Sequence, residues 1–476
     1  MNVLLIWPRN PHSVLSDELS CSEPLPLEYL AGALRGDHDV RIHDLRLDPP
    51  LETLASGPAP DLVGLAIPYT TIVRSVHHIA HEVRRLWPEV PIVVGGHHPT
   101  MSGEWLDGLP ADYIVLGEGG HALKALAEQL ERHGRLVDQI PGVGPFDRRH
   151  LVAHHPDRTT LDDLPFPDRS PVARHRDRYF HSIYRPVVLM RFSAGCPYKC
   201  NFCSLWRVTD RRYLTKDVPR VLAELEQIDG DSIYVVDDEA FIQPRRMLQL
   251  ADAIEASGIR KRYHMYVRAD TALRHPEVIG RWAEIGLDSV LVGAESMSDA
   301  ELDEYDKGSH ASETRGAVAL FHSLGVKVRT NFIIKPTYVD DDFDRVARTV
   351  AELGIDMPSF SVLTPLPGTL LYEQTRDQFV SDNPDLFDCY HSLLPTAMPE
   401  RSFYRSFADL LERTASRQAP GINRDDDPSV FYFSSNGAFG RMLDAVRQGH
   451  LLSQESWQAP VVPPAGLAGG VAGGMR

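Results

Sequence analysis

Cysteine is scarce in this chain, and three of its five copies, Cys196, Cys200 and Cys203, fall in one short stretch. That distribution excludes a disulfide framework and points to a reducing compartment. No apolar run approaches the ~20 residues that a membrane-spanning helix needs, so no stable membrane insertion is expected. Basic residues are the minority charge: 49 Lys and Arg against 66 Asp and Glu leave a net −17. Nonspecific nucleic-acid binding then has no electrostatic footing, because nothing would neutralise a row of phosphates. The opening Met1-Asn2-Val3-Leu4-Leu5-Ile6-Trp7-Pro8 lacks a basic flank and has only a short apolar core. It reads as a first strand, not a signal peptide, and a cytoplasmic location is the expectation. What remains is ordinary globular material of two or three domains.

The first 140 residues alternate strand and helix patterns. Asn2–Trp7, Val40–Leu45, Leu62–Ile67, Ile92–Val94 and Tyr113–Leu116 read as buried strands. Helices are expected at Leu27–Leu34, at Thr70–Trp87 with Thr70 or Thr71 as cap, and from about His121 to Arg132. Val73, Val76, Ile79, Ala80, Val83 and Leu86 share one face of the second helix. This alternation predicts an α/β, doubly wound, flavodoxin/Rossmann-like parallel sheet, whose ligands bind at the carboxyl ends of the strands. Those ends carry Pro68-Tyr69-Thr70, Gly95-Gly96-His97-His98 and Gly117-Glu118-Gly119-Gly120. Glycines there either admit a large ligand or simply close tight turns. None shows the G-x-G-x-x-G spacing of a dinucleotide site.

Residues 141–186 are rich in Pro, Asp and Arg and read as an interdomain strap, with Leu164 and Phe166 pinned to a surface. A second domain over 187–375 follows. Its strand candidates are Val187–Phe192, Ile233–Val236, His264–Val267, Val290–Val292, Val326–Ile334 and Phe360–Leu363. Helical stretches between them end at Gly258, Gly286, Gly325 and Gly354, where left-handed caps are expected. One of these helices, Arg315–Leu324, turns Ala317, Leu320, Phe321 and Leu324 inward. Six β/α units in series make a partial TIM-type barrel with its chemistry at the carboxyl ends of the strands.

The first of those ends carries Cys196-Pro197-Tyr198-Lys199-Cys200-Asn201-Phe202-Cys203. Three thiolates at C-x3-C-x2-C spacing hold three irons of a [4Fe–4S] cube and leave the fourth open for a small molecule. A structural zinc site would want a fourth ligand and a second pair of donors. With Phe202 before the last cysteine, the stretch resembles the radical S-adenosylmethionine (SAM) enzymes. The resemblance implies that the open iron chelates SAM and that one electron cleaves it to a 5′-deoxyadenosyl radical. It also implies an external one-electron reductant of flavodoxin or ferredoxin type. A zwitterionic sulfonium needs acceptors for its ammonium and a cation for its carboxylate. The other strand ends offer Asp237, Asp238, Glu239, Arg268, Glu295, Ser296 and, on the sixth, Leu363. Any of these charges could instead sit in a structural pair, and Arg268 and Glu295 could pair with each other.

G-G-H and G-E-G loops directly before a radical SAM core resemble the cobalamin-binding domain of B12-dependent radical SAM enzymes. That likeness implies cobalamin contacts from Tyr69, Thr70, Gly95, Gly96, His97, Gly117, Glu118 and Gly119, with Gly95 and Gly96 letting the corrin approach. No D-x-H-x-x-G is present, and His97 and His98 are expected to line the pocket or face solvent, not to ligate cobalt. Val236–Phe241, the Glu295-Ser296 loop, Phe360–Thr369 and Leu386–His391 resemble the hopanoid C-3 methylase-like branch of the methyltransferases. The implied reaction puts methyl from SAM, through cobalamin, onto a carbon of a lipid or other small molecule. A cobalamin-dependent ring rearrangement or cyclisation would use the same motifs. Residues 376–456 read as a mostly helical cap, including Phe403–Leu411. Its aromatics Phe387, Tyr390, Phe403, Tyr404 and Phe407 either line a pocket or pack the cap. Cys389 reads as inert, and 457–476 as a disordered tail.

Replacing Cys196, Cys200 and Cys203 together by Ala should abolish iron–sulfur absorbance and SAM cleavage while cobalamin binding persists. Four irons per chain retained after reconstitution would contradict the cluster assignment.

Overall fold

The computed structural model describes residues 1–10, 20–148, 160–181, 184–415 and 438–448. The expected tail at 457–476, and the parts of the strap and cap outside these ranges, lie outside the described residues.

Six strands build the N-terminal sheet: β1 (Asn2–Trp7), β2 (Asp39–Asp44), β3 (Leu62–Ala66), β4 (Ile92–Gly95), β5 (Tyr113–Val115) and β6 (Val143–Pro145). Their order is 2-1-3-4-5-6, parallel except for β6, which runs antiparallel to β5. Side chains of β1 alternate between two cores. Val3 and Leu5 join Leu27 and Ala31 of α1 (Leu25–Leu34), while Leu4 and Ile6 join Val73, Val76 and Val83 of α2 (Val73–Leu86). This period of two, buried on both faces, is why the strand reads as a continuous apolar run. The sheet continues past the expected boundary at 140, because β6 satisfies the free edge of β5. Neither threonine caps α2. A short 3₁₀ turn over Thr70–Ile72 precedes it, and the Thr70 hydroxyl instead meets His98 Nδ1 at 3.2 Å.

The second sheet contains β7 (Val188–Met190), β8 (Ser232–Val235), β9 (Arg262–Val267), β10 (Leu287–Glu295), β11 (Lys327–Ile334) and β12 (Met357–Val362). All are parallel and ordered as in the sequence, which makes an open six-stranded barrel with helices outside. Glycines 258, 286, 325 and 354 all take positive φ after their helices, as left-handed caps require. On the helix Ala311–Ser323, Ala317, Val318 and Phe321 are buried, whereas Leu320 and Leu324 are only half-buried. Phe403, Tyr404 and Phe407 of the helix Glu400–Ala415 are fully buried in the barrel's outer core, so these cap aromatics are packing. Phe387 packs on Trp105, with ring centroids 5.2 Å apart.

The strap does more than span a gap. Leu161 and Leu164 pack on Leu214, and the half-buried Phe166 ring lies 4.2 Å from the Arg220 guanidinium carbon. The Phe166 carbonyl crosses α1 at Gly32, where a Cβ would come within 2.0 Å of its oxygen. Val172, Tyr179 and Phe180 then enter the N-terminal core. Between the units lies a buried ionic group of Glu23, Glu28, Glu224, Arg169, Arg176 and Lys216. Leu189 on the free edge of β7 donates its N–H to Glu23 (2.5 Å) and receives a hydrogen bond from Arg169 on its carbonyl (2.8 Å).

Arg169→Met should cost about 3–5 kcal/mol, because it leaves buried carboxylates without their cation. Burial and the neighbouring Glu23 already hold Glu28 well above the ordinary carboxylate range. The folded chain therefore keeps a proton that the unfolded chain has shed, so the deficit should shrink as pH falls. Urea unfolding of both proteins across pH measures this, and a deficit that grew towards acid would refute it.

Candidate active site between the two units

The cysteine loop leaves β7 and turns at Gly195, φ +89°, where a Cβ would lie 2.0 Å from the Arg212 carbonyl oxygen. Only glycine fits. Asp237 accepts the N–H groups of Phe192 (2.7 Å) and Ser193 (2.9 Å), and Asp238 accepts that of Gly195 (2.7 Å). Two carboxylates just past β8 thus root the loop. All three thiols are free, and burial pushes Cys196 up to about 11 and Cys203 up to about 12. Thiols so placed ionise when a metal takes them. Lys307 and Arg268 supply positive charge to Cys200. Among the described residues no three His, Cys, Asp or Glu side chains gather around one ion-sized point. The donor set therefore suits a cluster whose irons each take one thiolate better than a zinc shared by all.

The strand-end charges are mostly engaged. Burial raises Asp237 to about 6 and Glu239 to about 7, and Glu239 accepts the Arg268 N–H at 2.5 Å. Arg268 does not meet Glu295. Its Nε donates to Asp270 (2.9 Å), and its guanidinium lies 3.7 Å from the centroid of Tyr198 in the cysteine loop. Glu295, at φ +55°, pairs with Lys307 at 2.9 Å. That pair packs over Gly293, where a Cβ would come within 2.7 Å of the carboxylate and 2.9 Å of the ammonium. The Ser296 hydroxyl donates to Glu301. Phe202 stands edge-on to Tyr305 at 5.6 Å, and these two share an apolar cluster with Leu363. Lys307 and Tyr305 carry no motif of their own, and only the folded loops bring them here.

Across the interface, β4 ends at Gly95 and Gly96 takes φ +128°. A Cβ on Gly96 would come within 2.7 Å of the Ile67 carbonyl oxygen. The local backbone thus requires glycine at 96 whether or not a corrin approaches it. Gly95 is less constrained, since a Cβ there would stand 3.2 Å from the Val115 carbonyl oxygen. Gly117, at φ +92°, donates its N–H to the Thr100 hydroxyl at 3.0 Å. Glu118 caps the helix Gly119–His133 through the Gly120 N–H. His98 meets Thr70 through one nitrogen and the Glu104 carbonyl through the other, and burial lowers it to about 4. A neutral ring with both nitrogens engaged is not placed to ligate cobalt. His97 reaches across to Ser204, the residue after Cys203, at 3.0 Å. Tyr69 is 65% exposed and within electrostatic reach of Tyr266 of β9. It borders the space between the units.

Other cross-links hold that space: Arg74 with Asp385 (2.7 Å), Arg376 with Glu104 (2.9 Å), and Gly368 against Met101, whose side chain would be 2.8 Å from a Cβ there. A cavity of about 980 Å³ beside them, lined by Trp105, Tyr372 and Phe379 among others, includes none of the cysteine or strand-end residues. Gly96→Ala should destabilise the N-terminal unit whether or not cobalamin is present. Tyr69→Ala should leave apoprotein melting unchanged and weaken cobalamin binding about tenfold, the loss of one stacked aromatic. Equal cobalamin affinity in Tyr69→Ala and wild type would remove Tyr69 from the site.

The B12 binding domain family matches residues 14–127, and the Radical SAM superfamily matches residues 190–350. Solved structures share the fold. OxsB, a cobalamin-dependent SAM radical enzyme with aqua-cobalamin and SAM bound, superposes with a TM-score of 0.68 at 16% identity, over 93% of this chain and 71% of that one. The radical SAM methyltransferase TsrM of Kitasatospora setae, with tryptophan and a SAM analogue bound, gives 0.66 at 17% identity, over 95% and 99%. The hopanoid C-3 methylase of Methylococcus capsulatus is 32% identical over 391 residues, 80% of this chain and 74% of the relative. With identity of that order along most of its length, the chain belongs to the cobalamin-dependent radical SAM enzymes, in the methyltransferase branch, and its cofactors are cobalamin, SAM and a [4Fe–4S] cluster.

Proposed function

We propose that this methyltransferase acts on a carbon of a small molecule held in the space between its two units. The observation that carries the reading is the contact of His97, on a cobalamin-side loop, with Ser204, next to Cys203. Loops from both sheets converge there, so a substrate in that space is reachable from either side. Polar methyl transfer from SAM needs a nucleophilic acceptor, and an unactivated C–H is not one. When bound, the cluster generates a 5′-deoxyadenosyl radical from SAM, and cobalamin carries the methyl group.

We assign cobalamin to residues 1–148 and SAM to the barrel at 187–375. Cys196, Cys200 and Cys203 take the cluster. Asp238, with only Oδ2 engaged by Gly195, offers an acceptor for the SAM ammonium. Lys307, held by Glu295 beside Cys200, keeps the cluster loop electropositive. Asp237, Glu239 and Arg268 act through the backbone and rings they hold, as positioning residues. A flavodoxin- or ferredoxin-type reductant supplies electrons, and a cytoplasmic location accords with the free thiols.

With the acceptor present, each turnover should release about one S-adenosylhomocysteine and one 5′-deoxyadenosine, because one SAM serves each cofactor. Chromatography of both products against methylated substrate checks this. Release of 5′-deoxyadenosine with substrate turnover but no S-adenosylhomocysteine would mean rearrangement or cyclisation instead.

A further inference from the structure

The floor of the barrel carries a cation that no carboxylate among the described residues neutralises. Tyr266, Leu291 and Arg329 stand in one register row across β9, β10 and β11, and residues so paired point to one face of a sheet. That face is the lumen, since Tyr266 packs with Leu189, Tyr234 and Met357 apart from the helix-side core. Arg329 donates to the Tyr234 hydroxyl at 3.0 Å, and its guanidinium carbon lies 5.8 Å from the centroid of the same ring. Its other electrostatic neighbours are the phenols of Tyr266 and Tyr184 and the imidazoles of His181 and His264. Among the described residues no carboxylate pairs with it, whereas at the barrel mouth Arg268 has Asp270, Lys307 has Glu295 and Lys335 has Glu304.

A guanidinium is always charged and carries five donors in a planar fork. Arg329 is half-buried, and with a single phenol as its hydrogen-bond partner it has donors left over for a further group. Tyr266 in the same row is within electrostatic reach of Tyr69 of the N-terminal unit. Higher on the same face of β11, Asn331 donates to the Ser361 hydroxyl at 3.1 Å, so the wall leading down is polar too.

We propose that Arg329, with Tyr234 and Tyr266, forms a subsite for an anionic group, a carboxylate or phosphate, of the methyl acceptor. The fork of Arg329 takes two oxygens of the anion, and the phenols donate beside it. A purely hydrocarbon acceptor would leave this cation unpaired, so the acceptor is an acid or a phosphate ester. This rests on the methyltransferase reading. Failure of that reading shows as missing S-adenosylhomocysteine, whereas failure of the subsite shows in anion affinity alone.

The probe is inorganic phosphate, titrated calorimetrically into full-length protein carrying its cluster, cobalamin and saturating SAM, in low-salt buffer. Wild type should bind it saturably. Arg329→Gln should weaken binding at least tenfold, Tyr266→Phe several-fold, and Arg329→Lys, which keeps the charge but loses the fork, should fall between wild type and Arg329→Gln. Iron content, cobalamin content and SAM affinity should be unchanged in all three, which separates loss of the subsite from loss of the fold. Phosphate binding that is absent in wild type, or equal in wild type and Arg329→Gln, overturns the proposal. If phosphate competes with SAM and Arg329→Gln weakens SAM binding, the anion is SAM's own carboxylate. If the variant loses cobalamin instead, the anion is the cofactor's phosphodiester. Either result equally overturns the assignment to the acceptor.

Discussion

An open barrel has an edge, and the way this one is closed decides the rest of the molecule. The first strand, β7, pairs with β8 on one side only. On the other side its central residue, Leu189, presents an N–H and a carbonyl that would be unsatisfied in the interior. Glu23 takes the first and Arg169 completes the second. Glu23 belongs to the N-terminal unit and Arg169 to the strap, so the barrel's edge is finished by the other half of the protein. Glu28, Arg176, Glu224 and Lys216 bury their charges around the same point. Ion pairs of this kind add little net stability over apolar packing, but they tolerate only one arrangement. The two sheets are held so that their strand ends face one another.

From that orientation the site follows. His97 can meet Ser204 only if the β4 loop lies over the cysteine loop. Gly368 can lie against Met101 only if the sixth barrel loop meets the short helix His97–Met101. Tyr69, in the loop after β3, comes within electrostatic reach of Tyr266 on β9 of the other sheet. The charges at the barrel mouth divide into two jobs. Asp237, Glu239 and Arg268 hold backbone and rings in place, and this is why burial raises both acids without making them free groups. Asp238 keeps one oxygen uncommitted. A strand-end acid is therefore not by itself a ligand contact, and the distinction rests on what its neighbours already donate.

Sequence alone determined the parts that depend on neighbours in the chain. A C-x3-C-x2-C loop announces its chemistry because three ligands lie within one turn of backbone. Strand and helix periods were legible for the same reason, and all eleven strands expected in the two sheets are present, with β6 the addition. Glycine caps at 258, 286, 325 and 354 were legible because a helix end sets its own backbone demand. Tertiary structure alone decided the partners. Glu295 meets Lys307 and not Arg268, the Thr70 hydroxyl meets His98 and caps no helix, and Gly96 answers to Ile67. The contacts from Leu189 to Glu23 and from His97 to Ser204 span 166 and 107 residues. No period or local spacing encodes such pairs, because they depend on where two independently folded sheets come to rest against each other.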